Sequence, residues 1–398
     1  MKRLLHRLWR RLPRAGRRWL FVLVQAALTP GRRAATAKLP VVIGGVVRSA
    51  TGLGESARMN VDGVRHAGLP FAVVDLSDSF LGPPDTGLPS LSGTVPAAGP
   101  GSLILHVSGP FIPYALRHCG RALVRDKYVI GFWHWELPRL PADWRVGLGF
   151  VHEVWVPSRF CGDAVRHDYD GPIRVIPHPV EVEAITAQPS PDGLFTALTM
   201  FNMSSGFERK NPLAAIRAFK QAFGDDPAVR LQVKVQHGAS YAAGLAALRA
   251  EIGAAGNIDL IDRSLSRRQT LELIAAADVV LSLHRSEGFG LLAAEAMLIG
   301  VPVIATDWSA TTDFVTPETG LPIPYRLVPA VDEQGWYNFP SLQWADPDVE
   351  AAAAALHRLR AEPALRRQLA GRGRKAAREL FSMARYEAAI IEALSGNP

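Results

Sequence analysis

Two glutamates separated by seven residues are the strongest candidates for chemistry in this chain. Glu287 precedes a turn with two glycines, and Glu295 lies inside the apolar stretch LLAAEAMLI that follows. A carboxylate inside a buried helix is costly unless it has a partner or a ligand. On spacing alone, an ordinary strand–helix turn with solvated glutamates is the alternative. Four backbone amides would open this helix and form an anion site, those of Gly288, Phe289, Gly290 and Leu291.

The surrounding residues predict the elements that position this turn. An apolar run at 279–283 is typical of a buried parallel strand, and a second one follows at 301–305. Between them, residues 291–299 have a helical pattern that ends at Gly300. The result is a strand–turn–helix–strand unit of a doubly wound α/β fold. It would place a diphosphate at the helix start, with Glu295 reaching a ribose hydroxyl.

This stretch resembles the Glu-x7-Glu signature of family 4 glycosyltransferases, and the similarity continues through VPVIATDWSATTDFV. The resemblance covers roughly residues 40–395. It implies the GT-B fold, in which the parallel sheets of two Rossmann-like domains face each other across a cleft and a C-terminal helix crosses back. By resemblance, Glu295 binds the donor ribose and Glu287 lies beside the sugar hydroxyls.

The segment GFWHWELPRLP gives two further candidates, at the end of the strand predicted from Tyr128 to Trp133. Three aromatics, a histidine and a glutamate at this place are unusual as pure core, and open α/β sheets bind ligands at such strand ends. The family resemblance implies that His134 contacts the transferred sugar and that Glu136 shares this role. A histidine with a purely structural role is the alternative.

Arg209 and Lys210 precede a predicted helix that starts with Asn211 and Pro212. Two cations beside helix amides suit a diphosphate, and the resemblance implies that this loop binds the donor phosphates. Many family members have Gly-Arg earlier in the loop where this chain has Ser204-Ser205. We therefore expect Arg209 to substitute for that arginine.

Two other loops complete the expected donor site. Gly54 belongs to a glycine turn after the first strand, which in the resembled family faces the cleft. Arg263 follows a strand at 258–261 and, by resemblance, packs near the nucleobase. The residue types do not identify the base.

We expect four segments in the chain. These are a basic N-terminal segment at 1–39, an acceptor domain at 40–186, a donor domain at 194–380 and a crossover helix at 381–398. The run AQPSPDG at 187–193 has the composition of a linker.

The positive charge is concentrated at the N-terminus. Twelve basic and no acidic residues precede Glu55, so a net charge of +7 for the chain leaves −5 for the remainder. Arginines alternate there with Trp9, Trp19 and Phe21, and the apolar run 19–28 is too short to cross a bilayer. This pattern favours an interfacial anchor on an anionic membrane through residues 1–38. A signal peptide and a disordered basic tail are the alternatives. Nucleic acid is not expected as a partner, because the remainder has no basic excess.

The resemblance implies a retaining glycosyltransferase that uses a nucleotide sugar without a metal. We expect GDP-mannose as the donor, followed by UDP-sugars, and a lipid-linked or growing surface glycan as the acceptor. The WELP segment and the aromatic-rich stretch 325–346 resemble a bacterial, mannosyltransferase-like subgroup of surface-polysaccharide assembly. The enzyme would work in the cytoplasm, at the inner face of the cytoplasmic membrane. The alternatives are a GT-B nucleotide-sugar epimerase or hydrolase and a non-catalytic glycan- or nucleotide-binding subunit.

The two cysteines, Cys119 and Cys161, form neither a metal motif nor a disulfide framework.

Overall fold

The computed structural model describes residues 14–49, 51–80, 91–182, 185–188 and 193–395. Two six-stranded parallel sheets are each built from strands that alternate with helices. Three of the predicted segments extend beyond the described residues. The parts outside are residues 1–13 of the basic segment, 189–192 of the linker and 396–398 of the crossover helix.

The N-terminal sheet has the strand order β2-β1-β3-β4-β5-β6, and all neighbouring pairs are parallel. Its strands are apolar because helices cover both faces of a parallel sheet. The strands are β1 (Val41–Gly45), β2 (Phe71–Asp75), β3 (Gly101–His106), β4 (Lys127–Phe132), β5 (Glu153–Val156) and β6 (Ile173–Val175). The helices are α1 (Arg14–Leu28), α2 (Gly52–His66), α3 (Ser77–Phe80), α4 (Ile112–Cys119), α5 (Arg121–Val124), α6 (Ala142–Leu148) and α7 (Arg159–Arg166).

The C-terminal sheet has the strand order β12-β11-β10-β7-β8-β9 and is also parallel throughout. Its strands are β7 (Phe195–Asn202), β8 (Val229–Gln236), β9 (Ile258–Asp262), β10 (Val279–Ser282), β11 (Val303–Thr306) and β12 (Leu321–Ile323). Its helices are α8 (Phe207–Lys210), α9 (Pro212–Phe223), α10 (Ala242–Ile252), α11 (Arg267–Ala275) and α12 (Leu291–Ile299). An antiparallel hairpin and three helices follow: β13 (Tyr325–Ala330), β14 (Phe339–Pro347), α13 (Val349–Ala361), α14 (Pro363–Leu380) and α15 (Met383–Leu394).

The last helix returns to the N-terminal sheet, as the sequence predicted. Tyr386 of α15 is buried against α2, where its hydroxyl donates to Asn60 Oδ1. Gly63 makes room for it, because a Cβ there would lie 2.2 Å from the Tyr386 ring. The structure therefore has the two parallel sheet units and the returning helix of the predicted fold. The expected domain boundaries at residues 186 and 194 stay predictions.

The sequence from Tyr114 to Arg125 predicts one helix, but the structure has two, α4 and α5, because Gly120 has a φ of +82° that an α-helix cannot continue through. The hairpin β13–β14 lies against the N-terminal sheet, and its Trp344 is buried in the same hydrophobic cluster as Trp135 and Trp144. None of the described helices is both long and apolar enough to span a bilayer.

Candidate functional site

The turn before α12 has the geometry that the sequence predicts. Gly290 adopts a left-handed φ of +90°, and a Cβ there would lie 2.6 Å from Thr311 Cγ2. No side chain among the described residues caps α12. The first amides of a helix have no partner within the helix, and they carry the positive end of its dipole. The start of α12 can therefore bind an anion.

Glu287 is the centre of an ion cluster at this turn. Its carboxylate accepts from Lys210 Nζ at 2.5 Å and from Arg209 Nη1 at 3.1 Å. Burial alone raises the pKa of Glu287, but the charges of Lys210 and Arg209 outweigh it and lower this pKa to about 2. Glu287 is thus ionised at neutral pH. It can accept hydrogen bonds from a sugar and favour positive charge at a reacting carbon.

Arg209 is turned towards carboxylates and carbonyls. It is only 3% exposed, and it donates to the carbonyls of Ser286 at 2.7 Å and Ser205 at 2.8 Å. Its Nη2 lies 3.9 Å from Glu136 Oε1, and its guanidinium lies 5.2 Å from the centre of the Tyr337 ring. Most of its donors are therefore used within the protein. The more exposed cation is Lys210, which suits a ligand phosphate better; that role stays a prediction for both.

His134 belongs to a group of three imidazoles that we call the histidine cluster: His106, His134 and His178. His134 Nε2 lies 2.7 Å from His178 Nε2, and the Phe132 ring stacks on all three rings. Burial lowers the pKa of His134 to about 4, and burial with the other imidazoles holds those of His106 and His178 well below 6.5. The rings are therefore neutral at neutral pH. One Nε2 must donate to the other, which couples the tautomers of His134 and His178.

Neither His106 nor His178 was identified from the sequence. His106 ends β3, and His178 follows β6 in the run IPHP. The sequence does contain a signal for them: three strands of one sheet each have a histidine at or just after their carboxyl end. The carboxyl ends of parallel strands meet at the same edge of the sheet.

The two sheet units meet at the candidate site. Ser158 Oγ at the start of α7 donates to the Gly288 carbonyl at 2.9 Å. A Cβ on Gly288 would lie 3.6 Å from the side chains of both His134 and Glu136. The structure thus brings together Glu287, Gly288, His134 and Glu136, which lie about 150 residues apart in sequence.

The aromatic residues around His134 belong to the core, contrary to expectation. Phe132 and Trp133 are fully buried, and Trp135 is 4% exposed. Trp135 contacts Trp144, Tyr337 and Phe339, the last two from the β13–β14 region. The hairpin region covers the Trp135 ring, and no local pattern in the sequence signals that packing. Of the candidates in this segment, His134 and Glu136 are partly buried and keep some exposed surface for ligand contact.

Glu295 has the partner that its burial requires, and the sequence did not identify it. It is 2% exposed and forms an ion pair with Arg267 at the start of α11. Burial raises the pKa of Glu295, Arg267 opposes that rise, and the charge of Glu55 on α2 adds to it. Glu55 therefore faces Glu295 from the other sheet unit. Ribose binding by Glu295 stays a prediction.

The remaining candidates have different surroundings. Phe289 packs against His178 and Phe381, so its side chain belongs to the core and only its amide is available. A Cβ on Gly54 would lie 2.2 Å from the Ser49 carbonyl, so close packing already requires this glycine. Arg263 is exposed after β9. Ligand contacts of Gly54, Arg263 and Leu291 stay predictions.

The described residues contain no group of three or more histidine, cysteine or acidic side chains that could hold a metal ion. Both cysteines are free thiols. Burial raises the pKa of Cys161 to about 12, so that this thiol remains protonated.

Residues 142–384, more than half of the chain, match a family model described as family 4 glycosyltransferase in conflict systems. No curated protein matches the chain.

Solved glycosyltransferase structures resemble the fold. HepE of Anabaena, solved with UDP and glucose, has a TM-score of 0.64 at 13% identity, covering 90% of this chain and 99% of its own. Sucrose-phosphate synthase of Thermosynechococcus elongatus has a TM-score of 0.64 at 19% identity, with coverages of 89% and 98%. TarM of S. aureus gives 0.57 at 14% identity and covers 74% of this chain, which spans only 55% of the TarM chain. These likenesses show the GT-B fold.

Proposed function

The chain belongs to the family 4 glycosyltransferases of conflict systems, and from that premise we propose that it transfers a sugar from a nucleoside diphosphate to a glycan acceptor. The observation that carries the proposal is the ion cluster on Glu287, which adjoins both the uncapped start of α12 and His134. It combines an ionised carboxylate, a cation and an anion site at one place where the two sheet units meet. The carboxylate matches the positive charge that develops on the sugar. The cation and the anion site match the negative charge of the leaving diphosphate.

In this proposal the diphosphate binds the amides of Gly288, Phe289, Gly290 and Leu291. Lys210 neutralises the charge, and Arg209 holds Glu287 and Glu136 in place. Glu295 accepts a ribose hydroxyl, and Arg263 lies near the base. Support for Glu295 comes from its burial and from its ion pair with Arg267, which hold its carboxylate within the first turns of α12.

The proposed reaction keeps the anomeric configuration. The acceptor oxygen forms a bond to the anomeric carbon while the bond from that carbon to the diphosphate oxygen breaks. The acceptor proton passes to the leaving diphosphate on the same face of the sugar. Lys210 and the helix amides stabilise the charge that develops on the leaving group. His134 and Glu136 orient the sugar and acceptor hydroxyls, and Gly54 lets its loop approach the cleft. We propose no metal in this step.

The choice of donor rests on two kinds of similarity. The sequence resembles a mannosyl-transferring subgroup, which favours GDP-mannose. HepE and TarM structures contain UDP, which favours UDP-sugars.

We further propose that the acceptor is a lipid-linked or growing surface glycan, reached from the cytoplasmic face of a membrane. Helix α1 supports this with an apolar stripe on its outer face, whose members are 38–59% exposed: Trp19, Leu20, Leu23, Val24 and Leu28. Phe21, expected in the membrane, instead packs against Phe111 and Tyr114. Because α1 packs on the protein in this way, point substitutions test its role better than deletion of residues 1–38.

Turnover of a donor panel tests the function. The full chain is incubated with UDP-glucose, UDP-N-acetylglucosamine or GDP-mannose, and release of the diphosphate is followed with and without glycan acceptors. We expect acceptor-dependent release that falls about 100-fold or more in Glu287→Gln, as for the loss of one electrostatic stabiliser. The control Glu350→Gln, an exposed residue outside every described ion pair, should leave the rate unchanged.

Two results would favour the alternatives. Equal release without any acceptor would indicate a hydrolase or epimerase. No release with any donor, together with nucleotide binding, would indicate a binding subunit.

A further inference from the structure

A cavity of about 320 Å³ lies at the opposite edge of the N-terminal sheet from the candidate site. Lys127, the first residue of β4, and His152, just before β5, both line it, whereas the candidate site lies beyond the ends of these strands. Six cationic side chains and no carboxylate line this basic cavity. The six are Arg32, Arg33, Arg117, Arg121, Arg125 and Lys127.

No ion pair among the described residues engages the cations of the basic cavity; the one acidic charge that acts on Lys127 is that of Asp126, which lies outside the cavity lining. Lys127 Nζ donates to the Gly99 carbonyl at 2.6 Å, Arg117 to Gln25 Oε1 at 2.7 Å and Arg32 to the Val151 carbonyl. All three partners are neutral. Such partners position the cations without cancelling their charge, so the cavity favours an anion.

Arg121 and Arg125 lie at the exposed side of the cavity and are the cations best placed to meet a ligand. Arg121 begins α5 and Arg125 follows its last residue with helical backbone angles, so the four-residue spacing puts both on one face. No side-chain hydrogen bond or ion pair engages either of them within the described chain. Asp126 lies between Arg125 and Lys127 in sequence but does not line the cavity.

The apolar stripe of α1 leads to the same cavity. Leu28, the last residue of the stripe, lines the cavity and is 59% exposed. The 15 residues of α1 span only about 22 Å, and one long side of the helix packs on α4 and α6. The helix can therefore lie in a membrane interface but cannot cross the bilayer. An exposed apolar stripe next to an uncompensated cationic cavity matches a molecule with an anionic head and an apolar tail.

We propose that the basic cavity binds the phosphate of an anionic lipid headgroup while the apolar stripe of α1 lies among the acyl chains. The proposal rests on the proposed membrane association and adds to it a specific headgroup site. A free phosphate would use the cavity but not the stripe. A nucleic acid would need a cationic surface that extends beyond one cavity, and it would leave the stripe exposed to water.

Vesicle co-sedimentation of the full chain tests this site. Vesicles of phosphatidylcholine, with or without phosphatidylglycerol, are compared at low and physiological salt. The variant Arg121→Ser/Arg125→Ser is matched by Arg249→Ser/Arg367→Ser, which removes the same charge from exposed positions far from the cavity. We expect the cavity variant to lose about 25-fold in binding to phosphatidylglycerol vesicles, since a basic group at an anionic surface contributes on the order of fivefold. The matched variant should bind as the wild type does.

Three results separate the proposal from its competitors. Equal loss in both double variants would show general charge attraction and overturn the headgroup site. Displacement of the protein from vesicles by inorganic phosphate would support a phosphate site. The site would be overturned if phosphate does not displace the protein and the cavity variant binds vesicles as well as the wild type does. Loss of single-stranded RNA binding in the cavity variant, without loss of vesicle binding, would assign the cavity to nucleic acid.

The substitution Leu23→Ser/Val24→Ser distinguishes this site from the membrane proposal on which it rests. If this variant loses vesicle binding and the cavity variant keeps it, the membrane association stands and the headgroup site fails. If the wild type binds no vesicle, both fail, while donor turnover tests the glycosyltransferase assignment independently. Far-UV circular dichroism and thermal unfolding of each variant establish that it is folded.

Discussion

Replacing Glu287 with glutamine should destabilise the folded chain by about 3 kcal/mol at neutral pH. The Glu287 carboxylate lies 2.5 Å from Lys210 Nζ and 3.1 Å from Arg209 Nη1, and its pKa is lowered from 4.5 to about 2. A shift of this size corresponds to roughly 3 kcal/mol. Removing one partner of a buried ion pair costs about 3–5 kcal/mol. The lower value applies here because Lys210 is partly exposed and can turn to water.

Urea unfolding followed by tryptophan fluorescence measures this difference, with Glu350→Gln as the control. The double variant Lys210→Met/Glu287→Gln should be less destabilised than the sum of the two single variants, since one variant removes both ends of the pair. Additive effects would show that Lys210 and Glu287 do not interact.

The pH dependence gives a second check on Glu287. A carboxyl group with a lowered pKa in the folded state contributes stability above its unfolded pKa. That contribution is lost as the pH falls from about 4.5 to about 2. The difference between wild type and Glu287→Gln should therefore shrink in this window. Unfolding of the two proteins at the same urea concentration at neutral pH would show that the Glu287 carboxylate does not stabilise the folded chain.

Three further predictions follow from named contacts. The pKa of His134 is lowered to about 4, so the folded state loses about 2 kcal/mol between pH 7 and pH 5 as the unfolded histidine takes up a proton; a thermal unfolding midpoint that does not fall over this range would contradict it. Gly290→Ala should cost about 1–3 kcal/mol and weaken nucleotide binding, because the position has a φ of +90° and lies against Thr311; calorimetry measures both effects. Tyr386→Phe should cost about 1 kcal/mol through the lost hydrogen bond to Asn60, and an unchanged unfolding midpoint would show that this contact is dispensable.

Local patterns in the sequence predicted most of the elements. The apolar runs at 279–283 and 301–305 correspond to β10 and β11, and Gly300 ends α12 in a left-handed conformation. The spacing of Ser266 and Gln269 predicts a capping box, and the structure has this box at the start of α11. These features depend on neighbouring residues, so the chain's own periodicity and cap residues suffice to predict them.

Contacts between distant segments could not be predicted in the same way. The partner of Glu295 is Arg267, which is 28 residues away and has no marker in the sequence. The imidazoles of His106, His134 and His178 meet only because β3, β4 and β6 end at the same edge of a sheet. Such pairings follow from strand order, which hydrophobic periodicity does not encode.

Arg209 shows a different limit of sequence analysis. The resemblance predicted a phosphate ligand, and the structure shows a buried guanidinium that donates to Ser205, Ser286 and Glu287. Residue type indicates a cation in this loop. Only the packing of the Tyr337 ring and the carbonyls around it determines which way the cation faces.

The most direct test of the central claim is nucleotide binding at the start of α12. Thermal unfolding of wild type and Glu295→Gln is compared with UDP, GDP, dTDP and ADP, and Glu350→Gln serves as the control. A ligand at about 100 times its Kd should stabilise the wild type by roughly 2.7 kcal/mol. One nucleotide should raise the unfolding midpoint of the wild type and of Glu350→Gln but not that of Glu295→Gln. A shift of equal size in all three proteins, or no shift with any nucleotide, would contradict it.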